Sequence, residues 1–196
     1  MDTRPLDLEP AARRITAQLD ALDDSALEGA TPCPGVTVGA LLAHVAGLAV
    51  AFRDAARKES GPTAEAPPAI ESGVLPSGWR TTLPAALDAM AAAWRAPDAW
   101  EGMTRAGGVD LPGRVAGMVA LNELVLHGWD LAKATGQPFD AEEAHLHNTL
   151  ALLANQSDDP APGSPFGAPV KVPDDAPLLD RAVARGGRRP DWRPGD

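Results

Sequence analysis

Glu123, His127 and Asp130 stand at i, i+4 and i+7, a spacing that puts three ionisable groups on one face of one helix. Buried and unpaired, such groups would cost several kcal/mol each, so a stripe of this kind facing a core must be paired, hydrated or bound to metal. A second histidine narrows the choice. His44 lies in the apolar run from Val38 to Phe52, three residues after Leu41 and four before Leu48, so it points inward with them. Two imidazoles and a carboxylate converging in a helical core form a His₂Glu set, the arrangement of catalytic rather than structural zinc, with a coordination position left open. Zinc is the expected metal; iron(II) and nickel also suit these donors. Asp130 is expected to act behind the ligands His44, Glu123 and His127, orienting a histidine or accepting a proton from a bound group. The competing reading is a solvated face, with Met118, Leu121, Val125 and Leu131 supplying apolar surface elsewhere on the helix.

Positioning these residues requires at least two long helices. The fourth expected helix, Gly113 to Thr135, carries Glu123, His127 and Asp130 and is closed by Gly136 with Pro138 beyond. The second runs from Val38 to Lys58 behind Thr37 as N-cap. His44 sits ~9 Å from the start of its helix and His127 ~12 Å from the end of its own, so the two meet if these helices are antiparallel. Residues 59–79, rich in Pro, Gly and Ser, are too long for a hairpin and read as a crossover or lid. They allow helices two and three to run parallel.

The other elements follow from periodicity. Leu8, Ala12, Ile15, Leu19 and Leu22 mark helix one. Helix three spans Leu83 to Ala96 with Pro84 in its first turn, and residues 97–112 contain a short hairpin at Gly107-Gly108. Asp140 and Glu143 form a capping box for a fifth helix bearing Leu146, Leu150 and Leu153. From Gln156 the chain is Pro-rich, apart from a helical piece near Pro177 to Ala184. The expected organisation is one domain, a bundle over residues 1–155 with an extension, 156–196, packed on it.

Other chemistry finds little support. His145 and His147 diverge by about 200° on a helix and read as surface residues. Cys33 has no internal disulfide partner, and no basic neighbour is expected to lower its pKa, so it reads as a small buried residue before a helix rather than as a reactive thiol. Trp79, Trp94 and Trp129 read as core. No phosphate loop, GxSxG elbow or CxxC pair is present. The net charge of -10 argues against a nucleic-acid partner, the longest apolar stretch is too short to span a bilayer, and a cytoplasmic location is expected because no signal segment is visible.

The segments Thr31-Pro-Cys-Pro-Gly-Val-Thr-Val-Gly-Ala-Leu-Leu-Ala-His44 and Asn122-Glu-Leu-Val-Leu-His-Gly-Trp-Asp-Leu-Ala132 resemble the DinB-like metal-binding superfamily. Within it they are most similar to actinobacterial proteins related to the N-terminal domain of mycothiol-dependent maleylpyruvate isomerase. The resemblance covers residues 8–155, and the ending, Phe166-Gly-Ala-Pro-Val and Gly187-Arg-Arg-Pro-Asp-Trp, is similar to the same subgroup. It implies an all-α four-helix bundle with a long crossover, and a three-ligand divalent metal site falling on His44, Glu123 and His127. It also implies a mycothiol-type thiol as cosubstrate and thiol transfer or thiol-assisted isomerisation on a small electrophile. Val36 replaces a tryptophan frequent in the family, and the isomerase's further C-terminal domain has no counterpart in the forty Pro-rich residues after helix five. The rival reading is a non-catalytic module in which metal staples two helices and function lies in homodimerisation or partner binding.

Overall fold

The computed structural model describes residues 6–68, 70, 74–160 and 166–196. Four long helices form the bundle: α1 (Glu9–Asp20), α2 (Val38–Arg57), α4 (Trp79–Ala93) and α5 (Gly113–Thr135). Leu8, Ala12, Ile15, Leu19 and Leu22 are all buried, so the stripe expected of helix one faces the core. Thr37 caps α2 by accepting from the Ala40 amide at 3.2 Å, satisfying one of the donors a helix start leaves unpaired. By length and composition alone α2 could cross a bilayer, but it is a bundle helix packed against α4 and α5.

Contacts at the helix ends fix the directions. Arg80, at the start of α4, donates to the carbonyls of Leu19 and Leu22 at the end of α1, and Arg95, just past the end of α4, pairs with Glu9 at the start of α1. Gln18 donates to the Gly128 carbonyl, tying the late part of α1 to the late part of α5. Thr104, in the first strand of the hairpin that leads into α5, donates to Ala55 near the end of α2, and Cys33, just before α2, reaches Asp130 late in α5. Hence α1 and α5 run one way, and α2 and α4 the other. The chain from α2 to α4 must therefore return along the whole bundle, and it includes one helical turn, α3 (Pro62–Glu65).

Between α4 and α5 lies an antiparallel hairpin of β1 (Met103–Ala106) and β2 (Val109–Pro112), in the register Ala106 to Val109. Both turn residues, Gly107 and Gly108, have positive φ, as a two-residue hairpin turn requires. Past the bundle, α6 (Glu143–Leu152) and α7 (Leu178–Arg185) pack on one another. Leu126 and Trp129 of α5 meet Leu153 and Val183 there in a second apolar cluster. Covered by α1, α2, α6 and this cluster, α5 is buried almost all round, so its charged stripe does not face solvent.

Two boundaries differ from the sequence reading. Helix α4 begins at Trp79, which places Pro84 inside it rather than in its first turn. Burial of Trp79 and the bonds of Arg80 to α1 hold the additional turn. The capping box before α6 is absent: Glu142 is the N-cap, without a side-chain bond. Asp140 instead accepts from Arg14 at 2.9 Å across the bundle.

Candidate metal centre

His44 on α2 and Glu123 and His127 on α5 come together with ligand atoms within 4.8 Å of one another. The two imidazole rings meet edge-on at 5.1 Å, and His127 Nε2 lies 3.0 Å from Glu123 Oε2. His127 is buried, while His44 and Glu123 are half-buried.

The opposite nitrogen of each ring is already engaged. His44 Nδ1 lies 3.1 Å from the Pro68 carbonyl; a carbonyl only accepts, so Nδ1 carries the proton and ligation falls to Nε2. His127 Nδ1 lies 3.0 Å from Asp130 Oδ2, where a carboxylate again can only accept. Histidines that ligate metals characteristically donate their other N–H to a carbonyl or carboxylate. The donor set thus fits a divalent ion: two imidazole nitrogens with their protons held on the far side, plus one carboxylate oxygen.

Pro68 reaches His44 because Gly47, one turn along α2, has no side chain. A Cβ there would lie 2.7 Å from Pro68 Cβ. Glycine in the middle of a helix costs roughly 0.5–1 kcal/mol relative to alanine, and here it makes room for the crossover.

Behind His127, Asp130 is fully buried and accepts three further contacts. Arg188, beyond α7, donates from Nε to Oδ1 at 3.2 Å and from a terminal nitrogen to Oδ2 at 2.9 Å. The Cys33 thiol donates to Oδ2 at 3.2 Å. Arg188 also lies 3.4 Å from Cys33 Sγ and donates to the Gly186 carbonyl at 2.7 Å. The expectation that Cys33 lacks a basic neighbour is therefore corrected: its neighbour is 155 residues away in the chain.

These contacts set the protonation states. Burial pushes the Asp130 carboxyl up, but Arg188 and the His127 hydrogen bond outweigh it and hold the group far below the usual carboxylate range. Burial likewise raises Glu123, and the bond and charge of His127, with His44 and Arg188 beyond, bring it below its ordinary value. Burial pushes His127 down, whereas its contacts with Asp130, Cys33 and Glu123 lift it well above. A histidine raised on folding adds stability that is complete below its unfolded value, about 6.5, and is lost as pH rises through the folded value. Metal-free protein should accordingly melt at falling temperature as pH increases from about 6.5 into the alkaline range. Melts in chelator at a series of pH values check this; a flat or rising profile would refute the charged His127.

The remaining candidates lie elsewhere. His147 is exposed, as expected, but His145 is buried at 2% exposure. Divergence of the two rings denies them a common face, yet leaves one of them free to turn inward, and His145 does. Neither joins a ligand cluster among the described residues. His145→Ala and His147→Ala should both retain full metal content, with only the former lowering stability; metal loss in either would move the site. Trp79, Trp94 and Trp129 are core residues.

Sequence reasoning missed Arg188, Pro68 and Gly47. Only Arg188 left a trace, in the Gly187-Arg-Arg-Pro-Asp-Trp ending.

Comparison with known proteins agrees with this architecture. Two solved structures, of the mycothiol-dependent maleylpyruvate isomerase and of a point mutant of it, superpose with TM-scores of 0.57 and 0.58 at 22% identity. Each alignment covers 74% of this chain and 66% of the isomerase, and so concerns the fold. The uncharacterized protein Rv0738 of Mycobacterium tuberculosis is 29% identical over 166 residues, covering 83% of this chain and 85% of the relative, and the uncharacterized protein MT0763 from another strain matches equally. The family model of the mycothiol maleylpyruvate isomerase N-terminal domain matches residues 8–132, a span running from the start of α1 through His44, Glu123, His127 and Asp130, and the chain belongs to that family.

Proposed function

We propose that this protein binds one divalent metal, zinc in the first instance, through His44, Glu123 and His127, and uses it to present a mycothiol-type thiol to a small electrophile. The observation that carries the reading is the engagement of both Nδ1 atoms, by Pro68 and by Asp130, which turns both Nε2 atoms to one task. Three protein donors leave an open position, as in catalytic rather than structural zinc sites. When bound, the metal supplies a Lewis acid that favours the thiolate over the thiol near neutral pH.

The chain's own groups do the rest. Glu123 offsets positive charge, and Asp130 fixes the tautomer and orientation of His127. Of the two roles expected for Asp130, orientation is the one its surroundings favour, because Oδ2 is shared by Arg188, His127 and Cys33 and Oδ1 is held by Arg188. Asp130 is thus a positioning residue, not a proton acceptor. A cytosolic setting suits the chemistry, since low-molecular-weight thiols are kept reduced there.

The test uses protein purified without a polyhistidine tag. Elemental analysis should give about one divalent metal per chain, and titration with mycothiol in buffers of different ionisation enthalpy should register proton release. Cobalt-loaded protein should gain a sulfur-to-cobalt charge-transfer band on adding mycothiol. Full metal content with neither signal would leave the metal as a staple between α2 and α5 and end the thiol-transfer reading.

A further inference from the structure

His127 belongs to two donor clusters at once. Nε2 faces Glu123 and His44; Nδ1 faces Asp130 and Cys33, and the set Cys33, His127 and Asp130 also brings its ligand atoms within 4.8 Å of one another. Thiolate, imidazole and carboxylate are all good donors for zinc, at ~2.3 Å from sulfur and ~2.0–2.2 Å from nitrogen and oxygen. By donor chemistry alone the second set is at least as attractive as the first, because it offers a soft ligand.

One residue distinguishes them. A terminal nitrogen of Arg188 lies 2.9 Å from Asp130 Oδ2 and 3.4 Å from Cys33 Sγ, two of the donors that would hold a metal on this side. Those two atoms are themselves 3.2 Å apart, a span an ion could close. Arg188 is only 8% exposed, and its guanidinium keeps its charge at any working pH. A neutral imidazole has one lone pair to offer, so it can serve only one cluster. With Asp130 held as a carboxylate by Arg188, Nδ1 keeps the proton and the lone pair stays on Nε2.

Taking as given that the chain binds a divalent metal, we propose that Arg188 is the resident cation of the Cys33–His127–Asp130 cluster and confines the metal to the His44–Glu123 side of His127. Arg188 is then a specificity-determining residue, and the second cluster is a latent thiolate site closed by an internal positive charge.

Cobalt(II) spectroscopy without added thiol tests this in the full chain. Native protein should take up about one cobalt per chain with no sulfur-to-cobalt band, and Cys33→Ser should change neither property. Arg188→Met should gain the band, Arg188→Lys should not, and adding Cys33→Ser to Arg188→Met should abolish it. A folded Arg188→Met variant without the band overturns the proposal. So does a band in native protein that Cys33→Ser removes, or a fall in cobalt uptake on Cys33→Ser alone; these two arms decide the matter even if Arg188→Met does not fold. Failure of native protein to bind cobalt at all would instead strike the metal-binding reading itself.

Discussion

His127→Ala should leave the purified protein with little of its metal, an affinity loss of at least about 100-fold, since even outer-sphere partners of ligand histidines cost 10–100-fold when removed. His44→Ala should do the same. The loss at His127 is compounded electrostatically, because His127 is one of the groups that hold both Glu123 and Asp130 below their ordinary values. Metal per chain by elemental analysis, and competition with a chromophoric chelator, give the stoichiometry and the affinity. Native metal content in both variants would show that neither ring is a ligand.

Asp130→Leu should destabilise the fold by ~3–5 kcal/mol, the usual consequence of stranding one member of a buried ion pair. Arg188 would keep its charge in a site with 8% exposure and lose both hydrogen bonds to the carboxylate. Replacing both partners, as in Asp130→Leu with Arg188→Met, should recover most of that loss, because well-packed apolar pairs of similar volume often match a buried ion pair. Urea unfolding of the metal-free proteins measures both effects. A single variant as stable as native, or a double variant no better than the single, would refute the coupling.

How much of this was legible in the sequence depends on how far apart the partners lie. The helices α1, α2 and α5 carry their own signals: a 3.6-residue stripe, the Thr37 cap and the Gly136 stop. The same periodicity placed Glu123, His127 and Asp130 on one face, and the match of depths brought His44 to them. What escaped has no local signature that names its partner. Arg188 is 58 residues from Asp130, and the Pro68 contact uses a backbone carbonyl, which every residue possesses. Asp140 misled because an acidic residue before a helix is a cap only if nothing else claims it, and Arg14 of α1 does. His145 misled because angular separation from His147 says nothing about which of the two faces the core.

The parallel course of α2 and α4 has an evolutionary consequence. From Lys58 the chain has residues 58–78 in which to cover a helix of ~30 Å, and at up to ~3.3 Å per residue it has about twice the contour it needs. Topology therefore obliges the connection to return along the bundle, where Pro68 meets His44, and the surplus contour lets its sequence vary. His44, Glu123 and His127 sit on two long helices, whereas Pro68 belongs to a connection of the kind that tolerates insertion and deletion at little thermodynamic cost. If the chain acts as proposed, a lineage would alter its substrate preference by rewriting residues 59–78 alone, provided a backbone carbonyl still meets His44 at the position of Pro68.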